Sequence, residues 1–265
     1  MTLSALSMQM KSLESSLGVA LFDRSVRPPR LTPVGRAIVD EAIPLLQHEE
    51  NLREICRPSD GLTGRIRLGF ITTAAVRLLP PLVLAAQQQA PRAAFEFETG
   101  LSAVLQEKVV SGQLDAAVVT DTDGLPGILA SHTLRREPLA FAAHEALLGD
   151  GLPGLLASHT FFHFMPDTGI GKLIARAMAD HARPPEAATV HLDNLEAIME
   201  CVVARLGFTL LPVPDVDRYS TSQIIRLPAP GILERKLVLV TRRDSALTRR
   251  APVLAALLGT PDQLD

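Results

Sequence analysis

From Arg65 onward the chain alternates short apolar runs with stretches of helical period, and that alternation restricts the fold to the α/β class. IRLGFI reads as a buried strand, and Ala74 to Gln89 as a helix with an irregularity at Pro80–Pro81. AFEFET alternates with period two, Leu101 to Gly112 is helical, and LDAAVVT is another buried strand. A βαβαβ succession of this kind requires parallel strands joined by right-handed crossovers. SHTLRREPLAFAAH suggests two further strands. FFHFMP, ATVHL, FTLLPV and KLVLVTRR supply more, with helices near 169–182, 193–206 and 249–258. No repeat with a period of 20–50 residues interrupts this order.

The first part of the chain has a different pattern. Leu3, Leu6, Met10, Leu13 and Leu17 recur at spacings of three and four, which predicts a helix from Thr2 to Leu17. Thr2 is its candidate N-cap and Gly18 its stop. VALFDR then forms a short apolar turn, and SVRPPRL is a hairpin candidate rich in proline and arginine. Thr32-Pro33 opens a second helix to about Arg57. Ile38, Ala42, Leu45, Leu52 and Cys56 lie at heptad-like intervals in it, with Glu49 in one slot. Pro44 sits inside that helix and is expected to kink it, or weaken it by about 3 kcal/mol. Residues 58–64, PSDGLTG, read as a linker.

Net charge, −3 overall, hides an asymmetry. Residues 1–36 carry Lys11, Arg24, Arg27, Arg30 and Arg36 against Glu14 and Asp23; residues 37–60 carry Arg53 and Arg57 against Asp40, Glu41, Glu49, Glu50, Glu54 and Asp60. A basic head is thus followed by an acidic helix. The two cysteines, Cys56 and Cys201, are far apart and imply no disulfide framework. No apolar run approaches 18 residues, and the polar, amphipathic start is wrong for a signal peptide, so a cytoplasmic protein without membrane partners is expected.

SALSMQMKSLE, LGVALFDR and LTPVG, in that order, resemble the recognition helix, wing and linker-helix start of LysR-type transcriptional regulators. GRIRLGF, LDAAVV, NLEAIMECVVARLGFTLLP and ERKLVLVTRR are similar to stretches of the same family's effector domain. The resemblance implies a partial winged helix-turn-helix over 1–32, a linker or dimerisation helix over 33–57, a hinge linker over 58–64 and an effector-binding domain over 65–265. That domain should be two-lobed and periplasmic-binding-protein-like, with lobe one at 65–141 and 212–258 and lobe two at 142–211. The chain would cross between lobes near Phe141 and Leu211. The family usually has about 25 more residues before the position of Met1, which points to an upstream start or a truncated product. Leu3 stands where the family commonly has a polar residue. Homodimers paired through linker helices, or homotetramers assembled from them through the sensor lobes, are also implied.

In a winged helix-turn-helix the second helix enters the major groove. Ser4, Ser7, Met8 and Lys11 share the face opposite most of the apolar stripe, and Gln9 lies nearby; Arg24, Arg27 and Arg30 lie in or beside the wing. These are the candidate contacts to double-stranded DNA, the alternative being a solvated polar face. In open α/β sheets ligands bind beyond strand ends, near helix N-termini. Thr72, Thr73, Thr99, Gly100, Thr120, Thr168, Gly169 and Asn194 occupy such positions and suit a small anion, typically a carboxylate; the alternative for each Thr or Asn is an N-cap serving only its own helix. Phe141 and Phe208 are candidates for an apolar wall or for core, and Lys172 for charge near the cleft.

Other chemistry finds little support. DTGIGKL lacks the first glycine and the Ser/Thr of a phosphate loop. His159 and His163 in HTFFH have no further ligands to complete a metal site. No nucleophile elbow or Ser/His/Asp set can be assembled, so neither an enzyme nor a cofactor is expected. Cys201 reads as a small core residue. The leading expectation is an effector-responsive DNA-binding regulator; the alternatives are a sensor that binds effector or a partner subunit without DNA, and a solute-binding protein of similar fold.

Overall fold

The structure is a computed structural model that describes residues 2–55, 61–121, 124–181, 183–184, 187–219, 223–229 and 233–259. Cys56, the end of the second helix expected at 57, and residues 58–60 of the linker lie outside the described residues. The chain divides into two compact units, one within 1–58 and one within 59–110 and 114–265, with 111–113 grouped with the first.

In the first unit, α1 (Leu3–Leu17) is opened by Thr2, whose hydroxyl accepts from the Ala5 N–H, and closed by Gly18 at φ +70°. β1 (Phe22–Asp23) and β2 (Arg30–Leu31) pair antiparallel, Phe22 opposite Leu31. Glu14 ties the helix to this wing: its carboxylate accepts from the Leu21 and Phe22 N–H groups at 2.8 and 3.1 Å. These bonds hold its pKa below the ordinary 4.5, aided by the Arg24 and Lys11 cations. The second helix, α2 (Pro33–Ile55), continues through position 44, so Pro44 does not end it. Its start packs tightly, because a Cβ on Gly35 would lie 2.2 Å from the Leu21 carbonyl oxygen. The apolar stripe of α1 stays open at Leu6, Leu13 and Leu17, and Leu45, Leu46 and Leu52 of α2 are exposed.

The second unit runs β3 (Gly64–Ile71), α3 (Thr72–Gln89), β4 (Ala93–Gly100), α4 (Ser102–Val110), β5 (Ala116–Asp121), β6 (Leu129–His144), α5 (Gly151–Ser158), β7 (Thr160–Phe164), α6 (Gly169–Ala179), β8 (Thr189–Leu192), α7 (Leu195–Val203), β9 (Gly207–Pro212), α8 (Val213–Asp217), β10 (Ile224–Pro228), β11 (Glu234–Arg242), α9 (Ala246–Arg249) and α10 (Ala251–Leu257). The sheet order is β4-β3-β5-β11-β6-β9-β7-β8, with β10 also on β6. β3 is parallel to β4 and β5, as the βαβαβ pattern requires.

Two separate apolar cores make the lobes. The first gathers Leu68, Phe70, Leu78, Leu105, Val118, Val238 and Leu254 with their neighbours. The second gathers Phe141, Phe161, Ile174, Ile198, Phe208, Val216 and Ile224. The stretch 129–144 is one long strand rather than two. Its first half pairs with β11 as far as Pro138, and its second half pairs with β9 from Leu139. Pro138 stands where the ladder changes partner, so its missing N–H interrupts little. The return crossing also differs from expectation. Val216 and Ile224 belong to the second core, with Leu227 and Leu233 packed against it, so the described residues of 213–233 stay with lobe two and the chain returns at Glu234, not at Leu211. The two crossings run side by side, Glu234 opposite Pro138. Helix α3 is unbroken through Pro80 and Pro81.

Candidate functional site

Between the lobes lies a cavity of about 530 Å³. Lobe one contributes Ile71–Thr73 at the start of α3, Gly100–Ser102 at the start of α4, Thr120 at the end of β5, and Arg235. Lobe two contributes Phe164, Met165, Thr168–Ile170 at the start of α6, Asp193–Glu196 at the start of α7, and Arg218 and Tyr219. Of the residues expected here, Thr72, Thr73, Gly100, Thr120, Thr168, Gly169 and Asn194 come together on one cavity. Thr99 does not line it. Successive strand residues point to opposite faces, so Thr99 and Gly100 cannot both look inward. Phe141 and Phe208 are fully buried in the lobe-two core, ring centroids 6.1 Å apart, and form no wall. Lys172 is not among the lining residues.

The lining side chains differ in what they have left to offer. Thr168 donates to the Met165 carbonyl at 2.8 Å and accepts from the Gly171 N–H at 3.3 Å, so its hydroxyl is spent on capping α6. Asn194 caps α7, its side-chain oxygen accepting from the Ala197 N–H at 3.1 Å and its amide N–H₂ left over. Lobe one is the reverse. Ile71 precedes α3 and no side chain caps that helix; Leu101, also apolar, precedes α4. Ser102 accepts from the Thr120 N–H at 3.2 Å, and Thr73 accepts from Arg235 Nη1 at 3.0 Å. Thr120, only 4% exposed, has a hydroxyl without a partner among the described residues. The lobe-one wall therefore presents free N–H and O–H groups, with the positive end of the α3 dipole behind them.

Sequence reasoning missed Ser102, Asp193, Glu196, Arg218, Tyr219 and Arg235. Ser102 was within reach of it: it follows Thr99 and Gly100 at a strand-to-helix turn. Arg235 carries no local signal, because its setting depends on residues distant in sequence. It is 1% exposed and lies directly opposite Glu137 where the strands cross between lobes. Its Nε donates to Glu137 at 2.8 Å, and its Nη1 lies 2.8 Å from Asp215 on α8. Arg77 of α3 completes the group, bonding Glu137 at 2.8 Å and lying 3.4 Å from Asp215 without hydrogen-bond geometry. Two guanidiniums thus meet two carboxylates in a buried network that reaches both lobes. Burial pushes the Asp215 carboxyl above its ordinary 3.8, against the pull of the Arg235 and Arg77 cations.

Comparison with known proteins now adds to this geometry. The model of the LysR substrate binding domain matches residues 59–260, and that of the bacterial regulatory helix-turn-helix protein, lysR family, matches 1–36. The chain belongs to the LysR family of transcriptional regulators. Its curated relatives include the HTH-type transcriptional regulator EstR of Acinetobacter baylyi, 26% identical over 97% of this chain and 87% of the relative. A probable hydrogen peroxide-inducible genes activator of Streptomyces viridosporus is 28% identical over 97% of this chain and 85% of the relative. Among solved structures, a full-length OxyR variant from Pseudomonas aeruginosa superposes with a TM-score of 0.75 at 25% identity, covering 97% of this chain and 85% of that one. These relatives are regulators, not enzymes.

On the DNA-binding segment of this LysR-type regulator, Ser4, Ser7, Met8, Gln9 and Lys11 are all exposed, and the first three with Lys11 recur at helical spacing on one face of α1. Arg27 and Arg30 are exposed on the wing. Arg24 is partly engaged, in an ion pair with Glu14 at 2.9 Å. Among the described residues no cysteine lines the regulator's cavity; Cys201 packs against the lobe-two core. Among the described residues no helix is long and apolar enough to cross a membrane, and no cluster of three or more His, Cys, Asp or Glu could hold a metal ion.

Proposed function

We propose that the inter-lobe cavity binds a small carboxylate-bearing effector, and that its occupancy sets how the regulator engages DNA. The observation carrying this reading is the lobe-one wall, where uncapped N–H groups of α3 converge on one cavity with the hydroxyls of Thr72, Thr73, Ser102 and Thr120, whose protons are donated to none of the described residues. Such a wall offers donors and a favourable dipole to an oxyanion without needing a free cation. Gly100 keeps the approach open, and Gly169 and Asn194 line the facing wall from the second lobe. Ligand touching both walls favours one setting of the lobes over others, and two strands side by side are a suitable hinge. Thr99, which does not line the cavity, makes no contact with the effector.

DNA contact falls to residues 1–32: Ser4, Ser7, Met8, Gln9 and Lys11 toward base edges and phosphates, Arg27 and Arg30 with the free share of Arg24 toward the backbone. The exposed leucines of α2 supply a homodimer seam over residues 33–57, on which a homotetramer can be built, in a cytoplasmic setting. A thermal-shift screen of small carboxylates tests the effector reading: stabilisation by at least one at millimolar concentration is expected. Stabilisation only by neutral or cationic compounds would contradict it. For DNA, a duplex selected from a random pool by the chain should bind more weakly to Lys11→Ala and Arg30→Ala, each lowering the salt slope by about 1. Unchanged slopes would remove those residues from the interface.

A further inference from the structure

We infer that Arg235 is a positioning residue of the effector site, which by bonding Thr73 turns that hydroxyl into a donor and makes the lobe-one wall select an oxyanion over its neutral amide. The inference rests on the carboxylate reading above and adds the group that sets its selectivity.

A threonine hydroxyl has one proton and two lone pairs, whereas a guanidinium only donates. The direction of the 3.0 Å bond between Arg235 Nη1 and Thr73 Oγ1 is therefore fixed: Thr73 accepts. Thr73 donates to none of the described residues, so its proton is available to the cavity it lines. An incoming acceptor meets an O–H polarised by a cation. An incoming donor meets an oxygen already under a charged hydrogen bond. Ser102 is set the same way by a different group, accepting from the Thr120 N–H at 3.2 Å. The Thr120 hydroxyl itself, on the cavity wall and with no partner among the described residues, is open to a ligand atom.

The buried network explains why Arg235 holds this pose. Glu137 and Asp215 fix the guanidinium from two sides, and Arg77 balances the second negative charge. With both cations matched by carboxylates, Arg235 is no free charge waiting for a ligand; it acts through Thr73. A carboxylate can accept from Thr73, Ser102 and Thr120 together. A carboxamide of the same shape has one acceptor oxygen instead of two, so it satisfies fewer of these donors.

Calorimetric titration of the full chain with matched pairs (acetate and acetamide, benzoate and benzamide, succinate and succinamide) tests this. Wild type should bind the acid of at least one pair more than about tenfold tighter than its amide. Thr73→Val, which keeps shape but loses the hydroxyl, should bring that ratio to within about threefold, and Thr73→Ser should restore it. Arg235→Lys keeps the charge but cannot reach Glu137, Asp215 and Thr73 at once, so a folded R235K should also lose selectivity. Thr73→Val carries the test if R235K does not fold. An unchanged ratio in T73V, with acids still binding, would overturn the role of Arg235 and leave the carboxylate reading standing. Amides bound as tightly as acids by wild type, or no acid bound, would overturn both.

Discussion

On the lobe-one wall of the cavity, α3 and α4 start after Ile71 and Leu101, side chains that cannot cap; on the lobe-two wall, α6 and α7 start after Thr168 and Asn194, which do. Both walls have the same ingredients of strand end, turn and helix N-terminus. The first leaves its helix-start N–H groups without any cap, whereas on the second the capping side chains take the Gly171 and Ala197 N–H groups. Proximity to a helix N-terminus is therefore a poor guide to a ligand contact, and a count of what each hydroxyl already bonds is a better one.

The largest expected effect concerns the network that joins the walls. Arg235→Met leaves Glu137 and Asp215 buried with one cation fewer and should cost roughly 3–5 kcal/mol, a Tm fall on the order of 10 °C by calorimetry. A fall near 1 °C would mean that the four charges are not a unit. Next are the glycines. A Cβ on Gly171 would lie 2.0 Å from the Met165 carbonyl oxygen, whereas one on Gly100 would lie 3.4 Å from a Leu105 methyl. Gly171→Ala should lose about 1–3 kcal/mol in denaturant unfolding, and Gly100→Ala less than about 0.5. Equal losses would erase the distinction between a jammed and an open helix start.

The caps give smaller effects and the sharpest contrast. Thr168→Ala and Asn194→Ala should each cost about 1 kcal/mol of stability and change carboxylate affinity less than about twofold. Thr72→Ala should do the opposite, weakening the carboxylate while leaving stability within about 0.5 kcal/mol. The smallest effect is one of pH. His163, buried on β7, donates from Nε2 to the Gly171 carbonyl at 2.9 Å, and burial lowers its pKa below the ordinary 6.5 despite that bond. The unfolded chain then binds the proton more readily, so the contribution is present above pH about 6.5 and lost as pH falls below it. Tm should drop between pH 7 and 5 more steeply in wild type than in His163→Gln; parallel curves would remove His163 from the account.

The alternating pattern was enough to read the parallel core of lobe one and most strands of lobe two, because each is a local run with its own period. What it could not supply was decided by distant partners. The proline at position 138 looks like a break between strands, yet β6 continues through it because β11 takes its first half and β9 the second. Residues 213–233 look like the way back to lobe one, but Val216 and Ile224 find their apolar neighbours in the second core. The strand-end hydroxyls were legible as a group; which of them is already spent was not, since Met165 and Gly171 take up Thr168 while Arg235, 162 residues away, sets Thr73. α5 went unread because GLPGLLAS mixes glycine and proline into an apolar run with little helical signal.

An amide NMR titration of the regulator with a carboxylate that raises its Tm tests the asymmetry of the walls most directly. The largest shifts should fall on the N–H groups of Thr72, Thr73 and Ser102, with only minor changes at Gly171 and Ala197, whose N–H groups are already held. Dominant shifts at Gly171 and Ala197, with Thr72, Thr73 and Ser102 unmoved, would contradict it.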